Sequence, residues 1–222
     1  MVSIADNKYF LAHRLAECGV GAPTLESAVA CTAIAQEEAG HARGLYSLLE
    51  EFPPELAPVP LEREDDRERK YALSYLLEGG SFARGVAALT LADRAFTVVL
   101  RAVEDSAFPG LRKRAARILS DESFHQRYAN GRVRELADSP MLRRELAALL
   151  PEVLCWFGPE DEEGLELLVD AGIVGRGNGE LRRSFLAELG SVLDATGIDL
   201  PTDQELPWSR WNSLERRLTT SA

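Results

Sequence analysis

Cysteine is scarce in this chain and follows no pairing pattern. Cys18, Cys31 and Cys155 are odd in number, far apart and contain no Cys-x-x-Cys, which argues against a disulfide framework or a zinc ribbon and for reduced, mostly buried thiols. No apolar stretch approaches the roughly 20 residues needed to cross a bilayer. Met1-Val2-Ser3-Ile4-Ala5-Asp6 has no basic segment leading into an apolar one, as a signal peptide would; a cytoplasmic protein is expected, with no membrane partner. Positive charge is also in deficit, 25 Lys and Arg against 36 Asp and Glu for a net −11. That balance argues against nucleic acid as a partner, because such affinity comes from cations that neutralise phosphates. Nothing alternates with period two for long enough to make a convincing strand.

Histidine is scarce too, and its placement is informative. Two of the three histidines lie in Glu37-Glu38-Ala39-Gly40-His41 and Asp121-Glu122-Ser123-Phe124-His125. Each segment contains Glu-x-x-His, which on a helix sets carboxylate and imidazole on one face, a turn apart, where one metal ion can touch both. With 24 glutamates and three histidines in 222 residues, composition predicts only about 0.3 such pairs. A single pair would be read as a surface helix contact; two, each in an apolar helix, point to metal.

The helices expected from periodicity and punctuation run over 6–18, from Thr24 as N-cap to 51, from Ser81 as N-cap to about 104, and over 111–136. Further helices are expected over 140–157, 162–171 and 180–196, with a helical turn over 71–77. Pro53-Pro54 end the second helix, and the charged run Glu62-Arg63-Glu64-Asp65-Asp66-Arg67-Glu68-Arg69 reads as a solvated crossover. Short loops join helices one to two and three to four, whereas nearly thirty residues separate two from three. That is the all-α, ferritin-like four-helix bundle with a long crossover between helices two and three, followed by additional C-terminal helices. The chain is expected to be a single domain, 1–222, with its core bundle over about 4–137 and a helical extension over about 138–222.

A dinuclear carboxylate site in this bundle needs one more carboxylate from the first helix of each hairpin. Mirroring Glu122 across the loop near residue 108 points to about residue 95, so Asp93 lies about 3 Å from the required height while Glu104 misses by roughly 13 Å. The same construction maps Glu38 to residue 3 or 4, within a turn of Asp6, whose alternative reading is a helix N-cap. The expected metal ligands are Asp6, Glu38, His41, Asp93, Glu122 and His125. His13, about 10 Å further along, reads as a packed or hydrogen-bonded side chain. Carboxylates and imidazoles suit iron or manganese and favour oxygen chemistry in a dry helical core.

These motifs resemble the catalytic subunit of the multicomponent phenylacetyl-CoA epoxidase, as does Trp156-Phe157-Gly158-Pro159-Glu160-Asp161. Asp6-Asn7, His13-Arg14-Leu15 and Gly21-Ala22-Pro23 are similar to its sister scaffold subunit. The resemblance runs from about Ile4 to about Pro201. It implies a non-haem di-iron monooxygenase, with two iron ions, O2 and electrons from an NADPH-dependent reductase, that oxygenates a small-molecule substrate such as the aryl-CoA thioester phenylacetyl-CoA. It also implies homo- or hetero-oligomers with a sister oxygenase subunit. The alternatives are a non-catalytic scaffold subunit of such a complex, or a ferritin-like metal storage or peroxide-detoxifying protein. Arg112, Lys113 and Arg114, or Arg182 and Arg183, are candidate contacts for CoA phosphates, against the plainer reading of solvated helix faces. Trp208 and Trp211, with Arg210, Arg216 and Arg217, could cover a partner or pack on their own bundle, and Tyr128 could lie beside the metals or fill core.

Overall fold

Four long helical stretches, each with apolar residues along one stripe, bury those stripes against one another. The computed structural model describes residues 1–52, 71–162 and 164–219. Helix α1 spans Val2–Val20 and α2 Leu25–Tyr46, continued by a 3-10 turn at Ser47–Glu51. The third stretch is α4, Phe82–Ala88, a π-helical segment at Leu89–Asp93, and α5, Arg94–Arg101; a short α3, Ser74–Leu77, precedes it. The fourth is α6, Pro109–Glu135. Helix α1 packs along α2, α5 against α6, and α2 against α6, closing the all-α ferritin-like bundle. The crossover expected over residues 55–70 lies outside the described residues.

Local chemistry sets the helix starts. The Thr24 hydroxyl accepts from the Ser27 amide at 3.2 Å, Ser81 from Arg84 at 3.3 Å, and Ser139 from Leu142 at 3.4 Å, each satisfying an amide that the helix leaves unpaired. Pro109 and Pro140 open α6 and α7, positions where a missing N–H costs nothing. The first helix begins four residues before the expected start, so Asp6 is buried inside α1 rather than capping it.

Helix α7, Pro140–Trp156, lies on α4. Its Glu152 accepts from the Ser74 and Tyr75 amides at 2.7 and 3.1 Å, capping α3 from another helix. Helices α8, Leu165–Asp170, and α9, Asn178–Leu193, follow. The chain then forms a small antiparallel hairpin, β1 at Trp211–Asn212 and β2 at Arg217–Leu218, which two-residue strands leave invisible to periodicity. Arg216 turns that hairpin in the left-handed region, φ 50°.

Candidate metal centre

Each of the four long helical stretches sends side chains into the same buried volume. From α2 come Glu38 and His41, from the π segment Asp93, and from α6 Glu122 and His125; all five are buried. One oxygen or nitrogen each from Glu38, Asp93, Glu122 and His125 lies within 4.8 Å of the others. His41 borders this group, its Nδ1 at 3.4 Å from Glu38 Oε1 and 3.8 Å from Glu122 Oε1. The π turn carries one extra residue and ends on Asp93; such insertions recur where a helix must re-aim a functional side chain. Thr97 Oγ1 donates to the second Glu122 oxygen, Oε2, at 3.1 Å.

The first helix contributes a cation instead of a carboxylate. Lys8 Nζ donates to Glu38 Oε1 and Oε2 at 3.0 and 2.8 Å, to Asp93 Oδ1 at 3.0 Å and to Glu122 Oε1 at 2.8 Å. Its side chain is 0 % exposed. Burial alone would lower the Lys8 pKa, but Asp93, Glu122 and Glu38 outweigh it and raise it well above the ordinary 10.5. Against burial, which favours the neutral acid, Lys8 holds Glu38 and Asp93 below their ordinary values. Glu122, pushed up by burial and by the charge on Asp93, reaches about 7.

The expected ligand Asp6 is not brought into this group. It accepts from the Tyr46 hydroxyl and from the Tyr71 amide. The mirror construction fixed its height along the bundle but not its azimuth. Two residues along a helix turn a side chain through about 200°, so Lys8 faces the centre when Asp6 faces the α2 terminus and residue 71.

Two carboxylates just before the ligand-type residues orient the imidazoles. His41 Nε2 pairs with Asp121 Oδ2 at 3.1 Å, and His125 Nε2 with Glu37 Oε2 at 2.8 Å. Each helix thus aims the other helix's histidine, the arrangement typical of carboxylate–histidine–metal relays. Helix periodicity assigns no role to Glu37 and Asp121; their signal in the sequence is an acidic residue directly preceding each Glu-x-x-His. The inner imidazole nitrogens face the carboxylates, His125 Nδ1 at 3.1 Å from Glu38 Oε1 and 3.4 Å from Asp93 Oδ2, and His41 Nδ1 at 3.4 Å from Glu38 Oε1. These inward-facing imidazole nitrogens and the oxygen-rich donor set fit a divalent cation such as iron or manganese, with Lys8 as its competitor for the same volume.

The other candidates fall elsewhere. Tyr128 Oη lies 3.6 Å from Cys31 Sγ, and His13 stacks on the Tyr9 ring at 4.5 Å. Arg182 is buried, donating to Gly158 O at 2.7 Å and pairing with Asp203 at 2.7 Å, while Arg183 pairs with Glu160 at 2.8 Å. Arg112 donates to Ser106 O at 3.0 Å. The tail packs on its own bundle: Trp208 Nε1 donates to Asp203 O, and the Arg182 guanidinium lies 5.0 Å from the Trp208 ring centroid. No helix among the described residues is long and apolar enough to cross a membrane.

Fold and site together define a ferritin-like helical bundle with a buried carboxylate–imidazole centre. The family of phenylacetic acid catabolic proteins matches residues 1–215, nearly the whole chain, and this protein belongs to it. No curated protein matches the chain.

Proposed function

We propose that this chain is a non-catalytic subunit of a phenylacetyl-CoA oxygenase type of assembly, its centre closed by an internal ammonium instead of metal. The observation that carries the reading is the Lys8 Nζ bonded to all three inner carboxylates. A buried carboxylate needs a cation or donors; Lys8 supplies both, covalently attached and therefore at high effective concentration. In this role the bundle retains the architecture of the oxygenase and presents it to a catalytic partner.

The test is metal content. The purified chain, incubated with Fe(II) without oxygen and then freed of excess, is expected to keep well under one iron per chain and to show no change in absorption on exposure to O2. About two irons per chain, with absorption that responds to O2, would refute the reading.

That second result would support the di-iron oxygenase, which the inward-facing imidazole nitrogens among the carboxylates favour. In it Glu38, His41, Asp93, Glu122 and His125 hold the irons once Lys8 withdraws, and Asp6 keeps Tyr46 and Tyr71. The bound irons supply O2 activation, with electrons from a reductase and an aryl-CoA thioester as substrate class. Glu37 and Asp121 keep the imidazoles aimed inward.

A further inference from the structure

We infer that two adjoining cavities beside α8 form a single binding site for an elongated amphiphile with an uncharged polar head. The first, about 600 Å³, is walled by hydrocarbon and aromatic groups, among them Leu45, Phe52, Val103, Phe108 and Ile173. The second, about 450 Å³, contains Ser3, Glu162, Asn178 and Arg216. Met1, Ile4, Val99, Leu168 and Val174 line both, so one wall runs from an apolar end to a polar end. Concave sites of this size, apolar with a few fixed polar groups, are how proteins hold small molecules.

The polar end is tied in place. Arg216, with its left-handed backbone, donates to Glu162 Oε1 at 2.7 Å and to the Trp156 and Phe157 carbonyls at 3.1 and 3.2 Å. Asn178 Nδ2 donates to Glu162 Oε2 at 2.7 Å and Pro159 O at 2.9 Å. A non-glycine residue in that region persists where its surroundings over-determine it, and such residues cluster at ligand clamps. Because the Glu162 carboxylate already answers the guanidinium, and burial lowers the amino group of the lining residue Met1 to about 6, an anionic head would gain no free cation at neutral pH and would meet Glu162. A hydroxyl or amide head meets neither penalty and can donate to the Asn178 side-chain oxygen, while the Ser3 hydroxyl already donates to Tyr71 O and accepts from Trp156 Nε1. The apolar chain of the ligand then lies past Val99 in the hydrocarbon end.

Helix α8 supports the assignment. Its Leu-Glu-Leu-Leu-Val-Asp sequence has no buried residue, and Leu168, 45 % exposed, belongs to both cavities. The site is separate from the carboxylate centre, with the Trp156 and Phe96 rings in edge contact, centroids 4.9 Å apart, between them. It therefore stands or falls independently of whether metal binds.

The test uses the full chain and the fluorescent apolar probe N-phenylnaphthylamine. Saturable fluorescence enhancement is expected, with decanol displacing the probe at concentrations about tenfold or more below decanoate, since an ion left without a partner is costly to dehydrate. Leu168→Trp, at a partly exposed position, should remove the enhancement while circular dichroism is unchanged; Val99→Trp, from a different helix, should do the same. Val29→Trp, on an exposed face of α2, should leave it intact. No saturable enhancement, or wild-type probe affinity in both the Leu168 and Val99 variants, would overturn the site. Equal displacement by decanoate would overturn the uncharged head.

Discussion

Replacing Lys8 by Met keeps the length and the hydrocarbon of the side chain and removes only its ammonium. Glu38, Asp93 and Glu122, now facing each other at 0–1 % exposure, lose the donor that each accepts from within 3.0 Å. Deleting one partner of a buried ion pair typically costs about 3–5 kcal/mol, because the other charge stays buried. For a chain of this size 1 kcal/mol moves the melting temperature by about 2–4 °C, so Lys8→Met in chelator is expected to melt about 6–20 °C below wild type. The vacated volume then suits a divalent cation. A metal at a hundred times its Kd restores about 2.7 kcal/mol, or about 5–11 °C, and calorimetry with and without Mn(II) reads both effects. Wild type should not respond to Mn(II). Adding Glu38→Gln and Glu122→Gln to Lys8→Met should recover stability without metal, since two of the three carboxylates are then neutral and Asp93 keeps His125 Nδ1 at 3.4 Å. A Lys8→Met protein that melts with wild type in chelator would refute the argument, as would equal Mn(II) stabilisation of both proteins.

Cys18, Cys31 and Cys155 are buried and free, and burial pushes the Cys18 thiol up to about 11 and the Cys155 thiol up to about 12. A thiol reagent such as DTNB should leave all three unmodified in the native protein and modify them once it unfolds. Both folded values lie above the ordinary thiol value of 9.0, so the contribution to stability is complete below about pH 9. It is lost as the pH rises towards 11–12, visible as a falling melting temperature. Glu152→Ala should leave the Ser74 and Tyr75 amides without acceptors, costing about 1–3 kcal/mol. Hydrogen exchange at those two amides should accelerate ahead of the bundle core; unchanged exchange there would show that Glu152 does not cap α3.

The helical bundle was legible because its signals are local. Thr24, Ser81 and Ser139 mark helix starts through their own hydroxyls, Pro109 and Pro140 open helices, and apolar periodicity fills the elements between. The two Glu-x-x-His segments lie face to face as their spacing implies, since three residues on a helix share a face whatever surrounds them, and Asp93 joins them from the height that the loop position dictates. What sequence could not carry was azimuth and reach. Asp6 has the right height and the wrong face, while Lys8, two residues on, extends a four-carbon stem into the centre and bonds to three helical stretches at once. Nothing local distinguishes that lysine from a solvated one.

The cross-hairpin pairs Glu37–His125 and Asp121–His41, the Glu152 cap on α3 and the Arg216–Glu162 clamp likewise join residues 54 to 88 positions apart. Local sequence determined which helices form and that carboxylate and imidazole share their faces. Only the packed tertiary structure decided which charge neutralises that cluster, because the answer depends on which side chains meet across helices once water is excluded.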